Sequence, residues 1–323
     1  MKVLITGGAG YAGSVLTRQL LGEGHEVCVL DCLLYGGQGL QGISQKEPFQ
    51  LIEGDIRSAS VVKRVLPGVD AVVHLAAIVG DPACARQPAL AREANLDASL
   101  QLFELSRQNG VKRFLFASTC SNYGKMQDRS QFLTEESELR PVSLYAETKV
   151  AVEKTLLSSS NGHGLCVTVL RFATLYGLSP RMRWDLTVNE FTLELLTKCK
   201  VTLYGEQFWR PYLHIGDAAR AIALVLASPI ECIVAQAFNV GDTTQNFQKI
   251  QLVEMIRKEM PHPVDVEIVK KEEDPRDYRV SFEKIGRKLG FHPIRTVEDG
   301  IREIRDAISQ KVITDFDDPR YRN

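Results

Sequence analysis

At about 150 residues per domain, a chain of 323 residues has room for one large domain or two. Its 39 lysines and arginines balance 40 acidic residues to a net charge of -1, which excludes the basic face of a nucleic-acid binder. With 44% apolar and 24% charged residues it falls outside the disordered and fibrous classes.

The longest apolar run, Ala221–Ala227, is far shorter than the roughly 18 residues that span a bilayer. Met1–Lys2–Val3–Leu4–Ile5 leads straight into glycines, without the apolar core of a secretory signal. Seven cysteines (28, 32, 84, 120, 166, 199 and 232) are scattered with no C-x-x-C pair. Reduced thiols in a cytoplasmic protein are expected, with neither a disulfide framework nor a metal site.

In chain order, short runs rich in Val, Ile, Leu and Phe mark strands at Val3–Thr6, Glu26–Asp31, Gln50–Glu53, Ala71–Leu75, Arg113–Ser118 and Val167–Arg171. Such runs suit strands buried on both faces. Helical spacing lies between them, as in Ala12, Leu16 and Leu20, and again in Leu144, Thr148, Val152 and Leu156 behind a capping Ser143. Strand–helix alternation at this spacing predicts right-handed βαβ units in a doubly wound parallel sheet. Past Arg171, Gly177–Asp185 reads as a loop, and helices are predicted near Thr187–Cys199, Asp217–Ala227, Gln248–Glu259 and Val297–Gln310. Pro and Gly recur between them. The expected division is therefore a dinucleotide domain over 1–175 and a smaller mixed α/β substrate domain over 176–323, with some chain returning to the sheet.

Thr6–Gly7–Gly8–Ala9–Gly10–Tyr11–Ala12–Gly13 follows the first strand and opens a helix. Glycines at these spacings permit a tight turn, close approach of a pyrophosphate and close helix–strand packing, while the helix start offers free N–H groups to an anion. Asp31, ending the second strand, stands at the distance where a carboxylate meets the adenosine ribose hydroxyls. It would repel a 2′-phosphate, so NAD is expected rather than NADP. Asp55, past the third strand, is a candidate to face the adenine.

Tyr145–Ala146–Glu147–Thr148–Lys149 puts a phenol and an ammonium one turn apart on a helix face. A lysine beside a tyrosine favours the phenolate, which can take the proton of a substrate alcohol as hydride leaves. A hydroxyl supplier precedes it in Ser118–Thr119–Cys120–Ser121–Asn122–Tyr123–Gly124. Further segments are His74–Leu75–Ala76–Ala77, Asn95–Leu96–Asp97–Ala98–Ser99, Arg171–Phe172–Ala173–Thr174–Leu175–Tyr176–Gly177 and Arg210–Pro211–Tyr212–Leu213–His214–Ile215. His74 and His214 read as structural.

This ordered set, spanning essentially the whole chain, resembles the extended short-chain dehydrogenase/reductase superfamily in its nucleotide-sugar epimerase and dehydratase branch. The resemblance implies a Rossmann-type sheet, bound NAD, a nucleotide-diphosphate sugar as substrate, and a homodimer through helices near Ala89–Arg107 and Leu144–Leu157. It implies catalysis by Thr119, Tyr145 and Lys149. The implied cofactor set is Gly7, Gly10, Tyr11, Ala12, Gly13, Asp31, Asp55, Ile56, Leu75, Ala76, Ala77, Asn95, Tyr145, Lys149 and Phe172. The implied substrate set is Thr119, Thr174, Arg181, Arg183, Arg210 and Arg276, with Arg210 on the diphosphate.

Two departures matter. Dehydratases of the branch carry an Asp-Glu pair where this chain has Cys120 and Ser121, and many epimerases have an Asn where it has Thr174. Gly177–Leu178–Ser179–Pro180–Arg181–Met182–Arg183–Trp184–Asp185–Leu186 looks like the sub-branch of a GDP-heptose 4-dehydrogenase. The expected activity is NAD-dependent oxidation at C4 of a nucleotide sugar, as a redox-neutral 4-epimerisation. The alternatives are a net 4-dehydrogenase and, behind it, an inactive NAD-sensing module.

Overall fold

The computed structural model describes residues 1–128, 131–159, 164–271 and 276–323. The chain begins β1 (Lys2–Thr6), α1 (Tyr11–Gly22), β2 (Glu26–Asp31), β3 (Phe49–Glu53), α2 (Ala59–Val65) and β4 (Ala71–His74). Two short helices, α3 (Asp81–Arg86) and α4 (Pro88–Arg92), lead into α5 (Ala98–Gln108), β5 (Arg113–Thr119), α6 (Leu144–Ser158) and β6 (Cys166–Phe172). All six expected strands are present, none with an end displaced by more than one residue.

The later elements are β7 (Thr174–Tyr176), α7 (Thr187–Lys198), β8 (Lys200–Tyr204), β9 (Trp209–His214), α8 (Ile215–Ala227), α9 (Ile230–Ile233) and β10 (Gln236–Val240). After them come β11 (Asn246–Gln248), α10 (Lys249–Glu259), β12 (Asp265–Val269), α11 (Glu283–Leu289) and α12 (Val297–Ser309). The four helices expected in this half are α7, α8, α10 and α12.

Seven strands form one parallel sheet in the order β10-β6-β5-β4-β1-β2-β3. Alternation along β1 sends Val3 and Ile5 into one apolar layer and Leu4 into the other, so both faces are covered. The first layer holds Leu16 and Leu20 of α1 with Ala218 and Ile222 of α8, and the second holds Leu102 of α5 with Val152 and Leu156 of α6. Strand order reverses between β1 and β4, and connections departing in opposite directions there open a crevice at the carboxyl ends.

Past β6 the chain moves between layers. A three-stranded sheet, β11-β9-β7, brings Thr174 of β7 and Arg210 of β9 to the cavity and a two-stranded sheet, β12-β8, forms separately, while α8 packs on α1 and β10 joins the main sheet beside β6. No helix among the described residues is long and apolar enough to cross a membrane.

Candidate active site

A cavity of about 850 Å³ runs along the carboxyl ends of the strands. Its floor is the turn between β1 and α1. Gly7 has φ +76°, and a Cβ there would stand 2.7 Å from the Ala76 nitrogen. A Cβ on Gly13 would lie 2.2 Å from the Gly7 oxygen, so α1 reaches the turn only because that atom is missing. Gly10 caps α1 without a side chain, leaving the first N–H groups of the helix directed at the cavity. Such a cradle fits the diphosphate of a dinucleotide.

Asp31 closes this end. Its Oδ2 accepts from the Ala9 N–H (2.9 Å) and its Oδ1 from the Leu33 N–H (2.8 Å). Burial raises its pKa, against the pull of those donors and of the Arg181 guanidinium. Asp55 also lines the cavity, with its carboxylate engaged by the Arg57 side chain (2.7 and 3.0 Å) and held below the usual range by it. Ala12, Ile56, Leu75, Ala76, Ala77 and Phe172 complete this wall.

The side chains of two members of the expected cofactor set are engaged by protein groups. Tyr11 lines the cavity, but its hydroxyl donates to the Gly177 oxygen (2.7 Å), so the side chain ties α1 to the loop after β7. Asn95 is fully buried and outside the cavity wall. Its Oδ1 accepts from the Ile78 N–H (2.7 Å) and its Nδ2 donates to the Ile78 oxygen (2.9 Å). Both ends of that amide are occupied in shaping the loop after β4, so Asn95 acts on the cavity through Ala76–Val79.

The expected catalytic trio, Thr119, Tyr145 and Lys149, lines the same cavity. Thr119 ends β5, where its Oγ1 accepts from the Ser121 N–H (3.1 Å) and lies 3.0 Å from the Ser121 Oγ. Ser143 caps α6 by accepting from the Ala146 N–H (3.3 Å), and thereby sets the helix start that presents Tyr145 and Lys149. The Lys149 Nζ donates to the Ala117 oxygen (2.8 Å), lies 4.6 Å from the Phe116 ring centre and 5.8 Å from that of Tyr145. Burial pushes its pKa down to about 8.

The expectation that Lys149 lowers the Tyr145 pKa does not describe these surroundings. Burial raises the phenol well above its ordinary value, and Arg183 is the cation that counters it.

Glu153, one further turn along α6, was not singled out from sequence, although it continues the Tyr145–Lys149 spacing. Its carboxylate accepts from the Ser118 hydroxyl (2.9 Å), from Asn122 Nδ2 (3.3 Å) and from Arg171 Nε (2.9 Å). With Arg171 it forms an almost fully buried ion pair. That network fastens the helix bearing Tyr145 to the strand bearing Thr119.

The second half of the chain supplies the other end. Thr174, Arg183, Arg210 and Arg276 all line the cavity. Arg210 lies 5.2 Å from the Tyr278 ring centre. Arg276 pairs with Asp81 (2.9 Å), which also accepts from the Ser143 hydroxyl (2.7 Å), and Arg183 pairs with Asp185 (2.5 Å). Arg181 lines the same cavity, stacked 4.1 Å from the Tyr35 ring centre, within reach of the Arg183 and Asp185 charges. Tyr35, Asp81, Tyr278 and Asn323 are cavity residues that sequence reasoning missed, and nothing local in the chain marks them.

His74 is fully buried between Thr6 (2.7 Å) and Ser99 (2.8 Å), with its pKa pushed down to about 3 by burial. His214 caps α8 by accepting from the Gly216 N–H (3.1 Å) and lies 2.9 Å from Glu303. Both are structural. The described residues contain no cluster able to hold a metal ion.

The chain is similar to proteins of known activity. Residues 3–241 match the NAD dependent epimerase/dehydratase family. The chain is 31% identical over 314 residues to the UDP-glucose 4-epimerase of Corynebacterium glutamicum, with 92% of each covered. It is also 31% identical over 314 residues to the dTDP-glucose 4,6-dehydratase of Streptomyces niveus, with 94% of this chain and 91% of that one covered. Its fold matches the crystal structure of the Thermus thermophilus UDP-glucose 4-epimerase in complex with NAD at a TM-score of 0.83 and 29% identity, over 96% of this chain and 100% of that one. With the glycine turn, Asp31 and the Thr119, Tyr145 and Lys149 side chains lining one cavity, the chain is an NAD-using enzyme and belongs to the NAD-dependent epimerase/dehydratase family.

Proposed function

We propose that the enzyme oxidises C4 of a nucleotide-diphosphate sugar and then reduces it from the opposite face, a redox-neutral 4-epimerisation. The observation that carries this reading is the pairing of an intact Thr119–Tyr145–Lys149 trio with non-acidic residues at the two positions after Thr119. Ser121 faces the cavity, whereas Cys120 is fully buried and donates to the Arg171 oxygen (3.2 Å). Neither supplies the acid and base that elimination of water requires. Among the carboxylates that do line the cavity, Asp81 and Asp185 are each paired with an arginine.

Bound NAD supplies the hydride acceptor and, in the second half-reaction, the donor. Tyr145 takes the C4 hydroxyl proton and later returns it, with Thr119 orienting that hydroxyl. Arg183 is the cation that favours the phenolate in an otherwise apolar place. Arg210 and Arg276 hold the diphosphate through charge-assisted hydrogen bonds, fixing the ring over the cofactor. In this reading the protein is cytoplasmic and a homodimer through α5 and α6, which sedimentation checks.

The likeness of residues 177–186 to a GDP-heptose 4-dehydrogenase favours a second reading, release of the 4-keto sugar. Mass spectrometry of the product from UDP, GDP, CDP and dTDP sugars separates the cases. Unchanged mass with no accumulation of NADH supports epimerisation. Loss of two hydrogens with stoichiometric NADH supports the dehydrogenase, and loss of water overturns both.

A further inference from the structure

Arg181 is 3% exposed, yet its Nε–H has no hydrogen-bond partner among the described residues. A buried cation with open donors is costly unless an anion meets it. Its neighbours place it at the dinucleotide end of the cavity. The loop that bears it lies on the start of α1, where the Ser179 hydroxyl donates to the Tyr11 oxygen (2.7 Å) and stands 3.0 Å from Ser14 Oγ. A Cβ on Gly39 would stand 2.5 Å from the Ala9 oxygen and 3.1 Å from the Arg181 Cβ, so the stem of the arginine passes beside the glycine turn. Its guanidinium then stacks on Tyr35, just beyond β2 and Asp31.

One more contact spans the crevice. Asn323 Oδ1 accepts from Arg181 Nη2 (2.9 Å), while its Nδ2 donates to the Val79 oxygen (3.5 Å) in the loop after β4. Arg181, Val79 and Asn323 all line the cavity. Asn323 thus joins the two lips of the crevice at its dinucleotide end.

We propose that Arg181 is a cofactor-binding residue whose guanidinium engages the dinucleotide diphosphate beside the glycine turn, and that Tyr35 and Asn323 hold it there as a clasp that slows NAD release. A planar guanidinium fork suits a phosphate oxygen pair, and stacking on Tyr35 fixes its plane. This moves Arg181 from the substrate set, where the resemblance put it, to the cofactor set. The assignment rests on the use of NAD and holds whichever way the sugar reacts.

The test is calorimetric titration of Arg181→Met and Asn323→Ala with NAD, ADP-ribose, adenosine and the nucleotides UDP, GDP and dTDP, with NADH release followed by stopped-flow fluorescence. Arg181→Met is expected to bind NAD and ADP-ribose roughly ten- to a hundredfold more weakly, the span of a charge-assisted hydrogen bond. Adenosine and the free nucleotides should bind as before. Asn323→Ala should release NADH several-fold faster with a smaller loss of affinity. Arg181→Lys, which keeps the charge without the fork, provides a second variant should the methionine protein fail to fold, and it too should lose NAD affinity. NAD affinity within twofold of the parent in the arginine variants, or a loss confined to UDP, GDP or dTDP, would overturn the assignment.

Discussion

The two ends of the cavity are built on different plans. The dinucleotide end is made of strand ends and a turn, with Gly7, Gly13, Ala76 and Ala77 keeping side chains out so that backbone can approach a ligand. The opposite end is made of long side chains from β9, the loop before α7 and the segment around Tyr278, where Arg183 pairs with Asp185 and Arg210 lies on Tyr278, while Arg276 reaches across to Asp81 of α3. In the proposed reading, backbone would grip the ligand part that every turnover shares, and exchangeable side chains the part that varies between substrates. Thr119, Tyr145 and Lys149 belong to the first plan, since β5 and α6 are bolted together through Glu153. Catalysis should therefore be separable from substrate affinity.

Tyr145→Phe offers the largest effect. Turnover should fall about 10²–10⁴-fold, while the melting temperature and NAD affinity stay near those of the parent. Turnover close to normal in this variant would move the acid–base chemistry to another group.

Lys149→Met asks how much strain the first plan stores. Burial takes the ammonium from its ordinary 10.5 to about 8. At roughly 1.4 kcal/mol per unit that is about 3 kcal/mol of destabilisation near neutral pH, where folded and unfolded chains both hold the proton. Between pH 8 and 10.5 the folded chain has released a proton that the unfolded chain keeps, so stability rises with pH across that window. Urea unfolding of NAD-free protein should thus find Lys149→Met more stable than the parent at pH 7, by an advantage that shrinks towards pH 10. A difference independent of pH would show that Lys149 titrates normally.

Arg210→Ala probes the second plan. Its effect should be a ten- to hundredfold rise in KM for the nucleotide sugar, from the loss of a charge-assisted bond worth roughly 1.5–3 kcal/mol, with kcat and NAD affinity little changed. A parallel drop in NAD affinity would erase the distinction between the two ends.

How much of this was legible in the chain follows the same division. Most strands of the first half are apolar runs because both faces are covered, while the edge strand β3 is largely exposed, and the glycine turn, Asp31 and the Tyr145–Lys149 spacing are local signals. The strands of the second half carry no such run. β12 has three exposed positions of five, and β8 mixes buried with exposed ones, so periodicity had nothing to catch. β10 became a strand of the main sheet through its pairing with β6, a contact remote in sequence. The helix face shared by Tyr145 and Lys149 was readable, but the capture of the ammonium by the Ala117 carbonyl depends on β5. Likewise no spacing rule joins Asn323 to Arg181, or turns Asn95 from the cofactor towards Ile78.

The position of α8 on α1, with β10 closing the sheet beside β6, has a consequence for how the molecule is made. A chain emerging from the ribosome completes the glycine turn and α1 long before Ala218 and Ile222 exist to cover Leu16 and Leu20. At synthesis rates of about 5–20 residues per second, that apolar strip stays bare for roughly ten seconds or more. A fragment ending near residue 175 would keep the strip bare permanently. Although the nucleotide motif lies wholly in the first half, such a fragment would aggregate before it could serve as a nucleotide binder.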